Sequence, residues 1–266
     1  MLHFTNSMGV PLQLADRPRR IVSLVPSQTE LLFDLGLNET IVGVTRYCLH
    51  PQAKIRNKTI VGGTKNPDLS AIRALHPDLI IGNKEENRRE DIEALQAEFP
   101  VWISDISSLA DAITMIRTIG RLVWKETSAD WLAARIEERF ETLATELISR
   151  SSGKKAAYLI WRKPWMVAGG GTFIDAMLRR VGLDNTFADQ LRYPECLDET
   201  LIARKPEVIL LSSEPYPFKE THLAEIRALC PAAQLHLVDG QLFSWYGSRL
   251  LRTPAYLSSL AATFSA

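Results

Sequence analysis

The chain of 266 residues is poor in cysteine: Cys48, Cys196 and Cys230 are all it has. Three is an odd number and no pair is spaced as CxxC, so neither a disulfide framework nor a zinc ribbon is written into it. Net charge is missing too, with 31 basic against 31 acidic residues. That removes the basic stripe that marks a nucleic-acid surface. No run approaches the about 20 apolar residues of a membrane-spanning helix. At the start, "MLHFTNSMGVPLQLADRPRRIVSLV", residues Asn6, Gln13, Asp16 and Arg17 interrupt every apolar stretch. A secretory leader needs an unbroken apolar centre. The expected compartment is therefore the cytoplasm as the chain stands, or the periplasm if a signal was removed. HExxH, GxGxxG and GK[ST] are absent, and no Ser/His/Asp set or carboxylate pair stands out. The reading is a non-enzyme with no catalytic residues, no bound metal and no intrinsic cofactor.

What is present is ordinary globular composition, 46% hydrophobic and 23% charged, and a regular alternation. "RIVSLV", "TIVGVT", "TIVGG", "DLIIGN" and "VWIS" lie between helical patterns, and after residue 153 so do "AAYLIW", "MVAGG", "VILLSS" and "LHLVDG". Short β-rich runs alternating with helices predict parallel sheets in α/β lobes. Between the two sets sits "TSADWLAARIEERFETLATELISRSSG", with Leu132, Ile136, Phe140, Leu143 and Leu147 on one helical face. Thr127 with Asp130 three residues on resembles a capping box, and Ser151, Ser152 and Gly153 stop the pattern. The expectation is an N-terminal lobe over 1–126, a rigid helix over 127–152 and a C-terminal lobe over 153–266.

The chain also echoes itself. "NPDLSAIRALHPDLII" from Asn66 resembles "ECLDETLIARKPEVIL" from Glu195. Aligning Pro77 with Pro206 sets Ile72 on Leu201, Leu79 on Val208 and Ser70 on Glu199. "TELLFDLGLNETIVG" from Thr29 resembles "TFIDAMLRRVGLDNTFA" from Thr172, each helix ending near a glycine, Gly36 or Gly182. Two echoes in the same order predict lobes related by internal duplication. Duplicated α/β lobes turn the carboxyl ends of their strands towards a shared cleft, where such sheets bind ligands.

On these motifs, with "RIVSLVPSQTELLFDLGL" and "AGGGTFIDAMLRRVGLDNTF", the chain resembles the substrate-binding proteins of ABC importers for cobalamin and iron–siderophores. The resemblance runs from about residue 19 to 262, and "YCLHP", "VGGTKNPDL" and "NKEENRRED" look closest to the cobalamin branch. It implies two Rossmann-like lobes joined by one backbone helix and a monomer that binds cobalamin or a similar metal chelate as ligand. An iron–siderophore or haem binder is the alternative, as is a cytosolic enzyme or chaperone acting on such a cofactor. The implied partner is an ABC importer permease, met by an acidic residue at the start of one helix in each lobe. Glu199 fills that position in the second lobe; Ser70 stands there in the first. Where cobalamin importers have a large aromatic, this chain has Thr64, beside Lys65.

The loops after the strands supply the candidate ligand-binding residues. In the first lobe they are Pro26, Ser27, Tyr47, Cys48, His50, Thr64, Lys65 and Asn83. In the second they are Trp161, Trp165, Tyr193, Phe243, Trp245, Tyr246 and Arg249. A large, flat, partly apolar ligand wants such aromatic walls, since each aromatic ring takes about 150–250 Å² out of water. "AGGGTF" offers a glycine turn whose backbone N–H groups point to anion binding, or a plain turn needing positive φ.

Overall fold

The computed structural model describes residues 2–148 and 153–264. The chain gathers into two compact units. The first holds most of the chain up to Arg135, and the short segment Tyr246–Arg249 returns to it. The second holds most of the chain from Ile136 onward.

The first unit opens with an antiparallel hairpin, β1 (Leu2–Thr5) and β2 (Pro11–Leu14). The sequence reading did not foresee this hairpin. Then come β3 (Ile21–Ser23), α1 (Pro26–Asp34), β4 (Ile41–Val44), α2 (Gln52–Ile55), β5 (Thr59–Ile60) and α3 (Leu69–Ala74). β6 (Leu79–Asn83), α4 (Arg89–Gln96), β7 (Val101–Ser104) and α5 (Leu109–Leu122) complete it. The sheet is wholly parallel in the order β5-β4-β3-β6-β7. All five residues of β6 are buried, as expected of a strand covered on both faces by helices.

Helix α6 (Glu126–Leu147) comes next. The predicted apolar face is real: Leu132, Ile136, Phe140, Leu143 and Leu147 are all buried, while Trp131 on the opposite side is exposed. The helix begins at Glu126, one residue before the expected capping Thr127. Its 22 residues make a rod of about 33 Å at 1.5 Å per residue. The expected stop at Ser151 and Ser152 lies outside the described residues.

The second unit is built from β8 (Lys154–Trp161), β9 (Trp165–Val167), α7 (Phe173–Arg180), β10 (Leu183–Asn185), β11 (Glu195–Cys196) and α8 (Asp198–Arg204). It continues through β12 (Val208–Ser212), α9 (Glu220–Leu229), β13 (Gln234–Val238), α10 (Gly240–Ser244), a 3-10 turn at Ser248–Leu251 and α11 (Thr253–Phe264). β10, β8, β12 and β13 run parallel. β9 and β11 turn antiparallel beyond the second half of β8.

The two echoes are structural. Ile72 and Leu201 occupy the same place in α3 and α8, and both are fully buried. Each of these helices ends on a left-handed residue just before its proline, His76 (φ 43°) and Lys205 (φ 49°). Gly36 (φ 83°) and Gly182 (φ 74°) close α1 and α7 in the same way, a conformation that glycine adopts without steric cost. The helix starts differ in detail. In α3 the cap is Asp68, whose side chain accepts from the Ala71 N–H. Ser70, two residues further on, lies inside the helix and caps nothing. In α8 the N-cap is Leu197, without a side-chain cap, and Asp198 and Glu199 fill the first turn.

Candidate functional site

In an open parallel sheet, ligands bind beyond the carboxyl ends of the strands, where the strand order reverses. That point falls between β3 and β6 in the first unit and between β8 and β12 in the second.

The first unit's carboxyl edge is a buried polar network. Gln28 Nε2 donates to Ser104 Oγ at 2.5 Å, and Asn83 Nδ2 donates to the Ser104 carbonyl at 3.1 Å. Asn83 Oδ1 accepts from the Glu85 N–H at 2.8 Å, and Asn87 Nδ2 donates to the Thr64 carbonyl at 3.0 Å. Ser27, Thr64 and Asn83 are thus buried parts of the loop scaffold. Cys48 is 1% exposed, with its Sγ 3.2 Å from both Thr29 Oγ1 and Thr45 Oγ1. Burial pushes its thiol up, which disfavours the thiolate that a metal would need. Pro26 and His50 are half-buried. Tyr47 presents a ring at this edge, 55% exposed, and Leu49 in the same loop is exposed as well. The Tyr47 ring leans on Gly63, where an added Cβ would come within 3.3 Å of Tyr47 Cε2. Lys65 and Lys84 are exposed, Lys65 Nζ donating to the Glu85 carbonyl and Lys84 pairing with Asp105 at 2.7 Å.

The second unit's edge is aromatic. Trp161, at the end of β8, is 39% exposed and meets Tyr216 edge-on at 5.7 Å between ring centres. Tyr216 in turn meets Phe218 at 4.8 Å and His222 at 5.4 Å. The loop after β12, "SEPYPFK", carries Glu214, Tyr216 and Phe218. None of them was among the sequence candidates, although this loop follows a strand; of those candidates, Asn83 and Trp161 instead end strands and Trp165 begins one. The Tyr216 backbone N–H donates to the Ile160 carbonyl at 3.3 Å, which pins this loop against the end of β8.

The other aromatics face inward. Trp165 is 7% exposed, stacks on Phe218 at 6.3 Å and donates its Nε1–H to Asp198 at 2.7 Å. Phe243 is fully buried between Tyr158 at 5.0 Å and Tyr256 at 6.2 Å. Trp245 is buried and donates its Nε1–H to Glu214 at 2.7 Å. Burial raises the Glu214 pKa against that hydrogen bond and those of Gln241 and Ser244. Tyr193 is half-buried in the segment after β10.

Tyr246 and Arg249 were expected with the second lobe but belong to the first unit. The reason is a bidentate ion pair: the Arg249 guanidinium holds Glu30 on α1 at 2.6 and 2.9 Å. Gly247 fits under the Ser27 carbonyl, which would lie 2.6 Å from an added Cβ. The glycine turn is also closed to anions at its start. Gly169 and Gly170 donate their N–H groups to the Arg192 and Gln190 carbonyls, each at 2.7 Å. Added Cβ atoms there would meet the Gln190 and Ala188 carbonyl oxygens at 2.1 and 2.2 Å, so close backbone packing is what demands glycine.

A family model described as periplasmic binding protein matches residues 21–234. The chain belongs to the periplasmic binding protein family. This is the substrate-binding class that the sequence resemblance pointed to. Among curated relatives, the vitamin B12-binding protein of Yersinia pestis (strain Pestoides F) is 26% identical over 207 residues, 77% of this chain and 72% of its own length. Among solved structures, the apo haem-binding protein RhuT of Roseiflexus sp. RS-1 superposes with a TM-score of 0.81 at 25% identity, over 93% of this chain and 98% of its own. BtuF, the vitamin B12-binding protein of Vibrio cholerae, gives 0.79 at 22% identity, over 92% and 97%. The binding-protein fold, two α/β units sharing one long helix, is the fold expected from the duplicated sequence.

Proposed function

We propose that the protein binds a large metal chelate, cobalamin or a related corrinoid, at the carboxyl edges of its sheets, without catalysing a reaction on it. The observation that carries this is the second unit's switch point, where Trp161 and Tyr216 present an aromatic wall. The match to a vitamin B12-binding protein over most of both chains supports the corrinoid. Tyr47 gives the first unit's carboxyl edge an exposed ring. Full burial of one such ring brings roughly 4–6 kcal/mol gross at about 25 cal/mol per Å². Association costs about 4–15 kcal/mol, so several rings and hydrogen bonds must act together. Haem is the second reading, favoured by the likeness to RhuT.

The test is an absorption titration of the purified protein with aquocobalamin, hemin and a ferric siderophore. A saturable shift of the corrinoid bands at one equivalent is the expected result. No shift with any of the three would refute the chelate reading; a shift with hemin alone would move the assignment to haem.

The same reading implies an importer permease as partner in the periplasm. Both helix starts carry an exposed carboxylate, Asp68 on α3 and Glu199 on α8, so the serine at position 70 does not leave the first unit's helix start without one. Loss of permease capture in Asp68→Asn and Glu199→Gln supports docking through these helices; capture unchanged in both rules it out.

A further inference from the structure

The loop after β12 holds a hydroxyl whose surroundings are arranged from one side. The backbone N–H of Lys219 donates to His222 Nδ1 at 2.9 Å. Neutral imidazole has one donor and one acceptor nitrogen, so this bond makes Nδ1 the acceptor and leaves the proton on Nε2. Nε2 lies 3.2 Å from Tyr216 Oη and donates to it. Tyr216 and Phe218 both meet the imidazole edge-on, which fixes the ring plane. The Arg162 guanidinium pairs with Glu225 at 2.7 Å. The phenol oxygen therefore accepts from the imidazole. Its own proton has no acceptor among the described residues. A hydroxyl that accepts from the protein and has nothing to donate to is set to donate outward. Tyr216 is half-buried against the exposed Trp161, at the point where strand order reverses.

We propose that Tyr216 reads a hydrogen-bond acceptor on the rim of the bound chelate, a carboxylate or carboxamide oxygen beside the ring, and that His222 positions it. The inference rests on the chelate reading above. Trp161 supplies the flat apolar contact and Tyr216 the polar one next to it, which is the usual composition of a small-molecule site. His222 does not touch ligand. It fixes the direction of the Tyr216 O–H by occupying the oxygen from behind.

Affinities of wild type, Tyr216→Phe, His222→Phe and the double variant are compared by Trp fluorescence quenching with aquocobalamin, hemin and iron octaethylporphyrin. Aquocobalamin carries rim amides and hemin carries carboxylates, whereas iron octaethylporphyrin has only alkyl groups on its rim. Tyr216→Phe is expected to weaken whichever of aquocobalamin and hemin binds by about 3- to 10-fold, the value of one hydrogen bond. It should leave iron octaethylporphyrin unchanged. His222→Phe keeps the ring contacts, should show part of that loss, and should add nothing in the Tyr216→Phe background. Wild-type affinity of Tyr216→Phe for the rim-bearing chelates, or an equal loss on iron octaethylporphyrin, overturns the proposal while leaving chelate binding intact. Absence of binding to all three by the wild type overturns both.

Discussion

Arg249→Ala should destabilise the first unit more than any exposed ion-pair variant. The Arg249 side chain is 9% and the Glu30 side chain 13% exposed, joined at 2.6 Å. At an effective dielectric constant near 20, two unit charges about 3 Å apart attract by roughly 5–6 kcal/mol. Desolvation offsets much of that attraction. Removing one partner is costlier than the net pair, because the other charge stays behind unpaired; the penalty for fully buried pairs is about 3–5 kcal/mol. The residual exposure here lets water reach Glu30, so about 2–3 kcal/mol is expected. With an m-value of about 3 kcal/mol/M in urea, the midpoint falls by roughly 0.7–1 M. Arg73→Ala breaks a pair whose side chains are 42% and 41% exposed, so water screens it and its midpoint shift should be the smaller of the two. Urea unfolding monitored by fluorescence reads both, and Glu30→Gln with the double variant Glu30→Gln/Arg249→Ala closes the cycle. If Arg249→Ala shifts the midpoint no more than Arg73→Ala, the pair is solvated in solution. The segment Tyr246–Arg249 would then be held by its backbone packing instead.

Gly170→Ala should cost about 3 kcal/mol and lower Tm by roughly 6–12 °C, because the new methyl meets a backbone oxygen at 2.2 Å; an unchanged calorimetric Tm would mean the segment at residue 188 moves freely. Asp68→Ala should cost about 1 kcal/mol as a lost helix cap, while Ser70→Ala should be near neutral, since Asp68 accepts the Ala71 N–H; equal effects in urea would contradict that assignment. Glu214 has a folded pKa raised mainly by burial, so the folded state binds its proton more tightly than the unfolded one. Its stabilising contribution is fully present below the unfolded value of about 4.3 and is lost as pH rises through the folded value. Wild type should therefore lose stability relative to Glu214→Gln between pH 4 and pH 8, and a midpoint difference constant across that range in urea would disprove it.

The alternation of β-rich runs with helices was enough to give the α/β class, and the two echoes were enough to give the duplication. Both are properties of local spacing. Ile72 and Leu201 repeat because each must fill the same hole under a parallel strand. The face of α6 was legible for the same reason: five apolar residues at helical spacing have one way to be buried together. Tyr216 was missed because a loop of Pro and aromatic residues has no period. Nothing in "SEPYPFK" says which ring turns outward.

Sequence by itself determined the order of strands and helices, and so which stretches lie at or near strand ends, although Asn83, Trp161 and Trp165 belong to strands and not to the loops after them. Tertiary structure alone decided which of them face solvent there. Trp161 and Trp165 are four residues apart and look alike in sequence, yet one is 39% exposed and the other 7%. Asp198, 33 residues beyond Trp165, takes its indole N–H at 2.7 Å and draws the ring against Phe218. Arg249 is likewise joined to Glu30, 219 positions away in the chain. Such partners are brought together by the packing of whole elements, so no window of neighbouring residues contains the information.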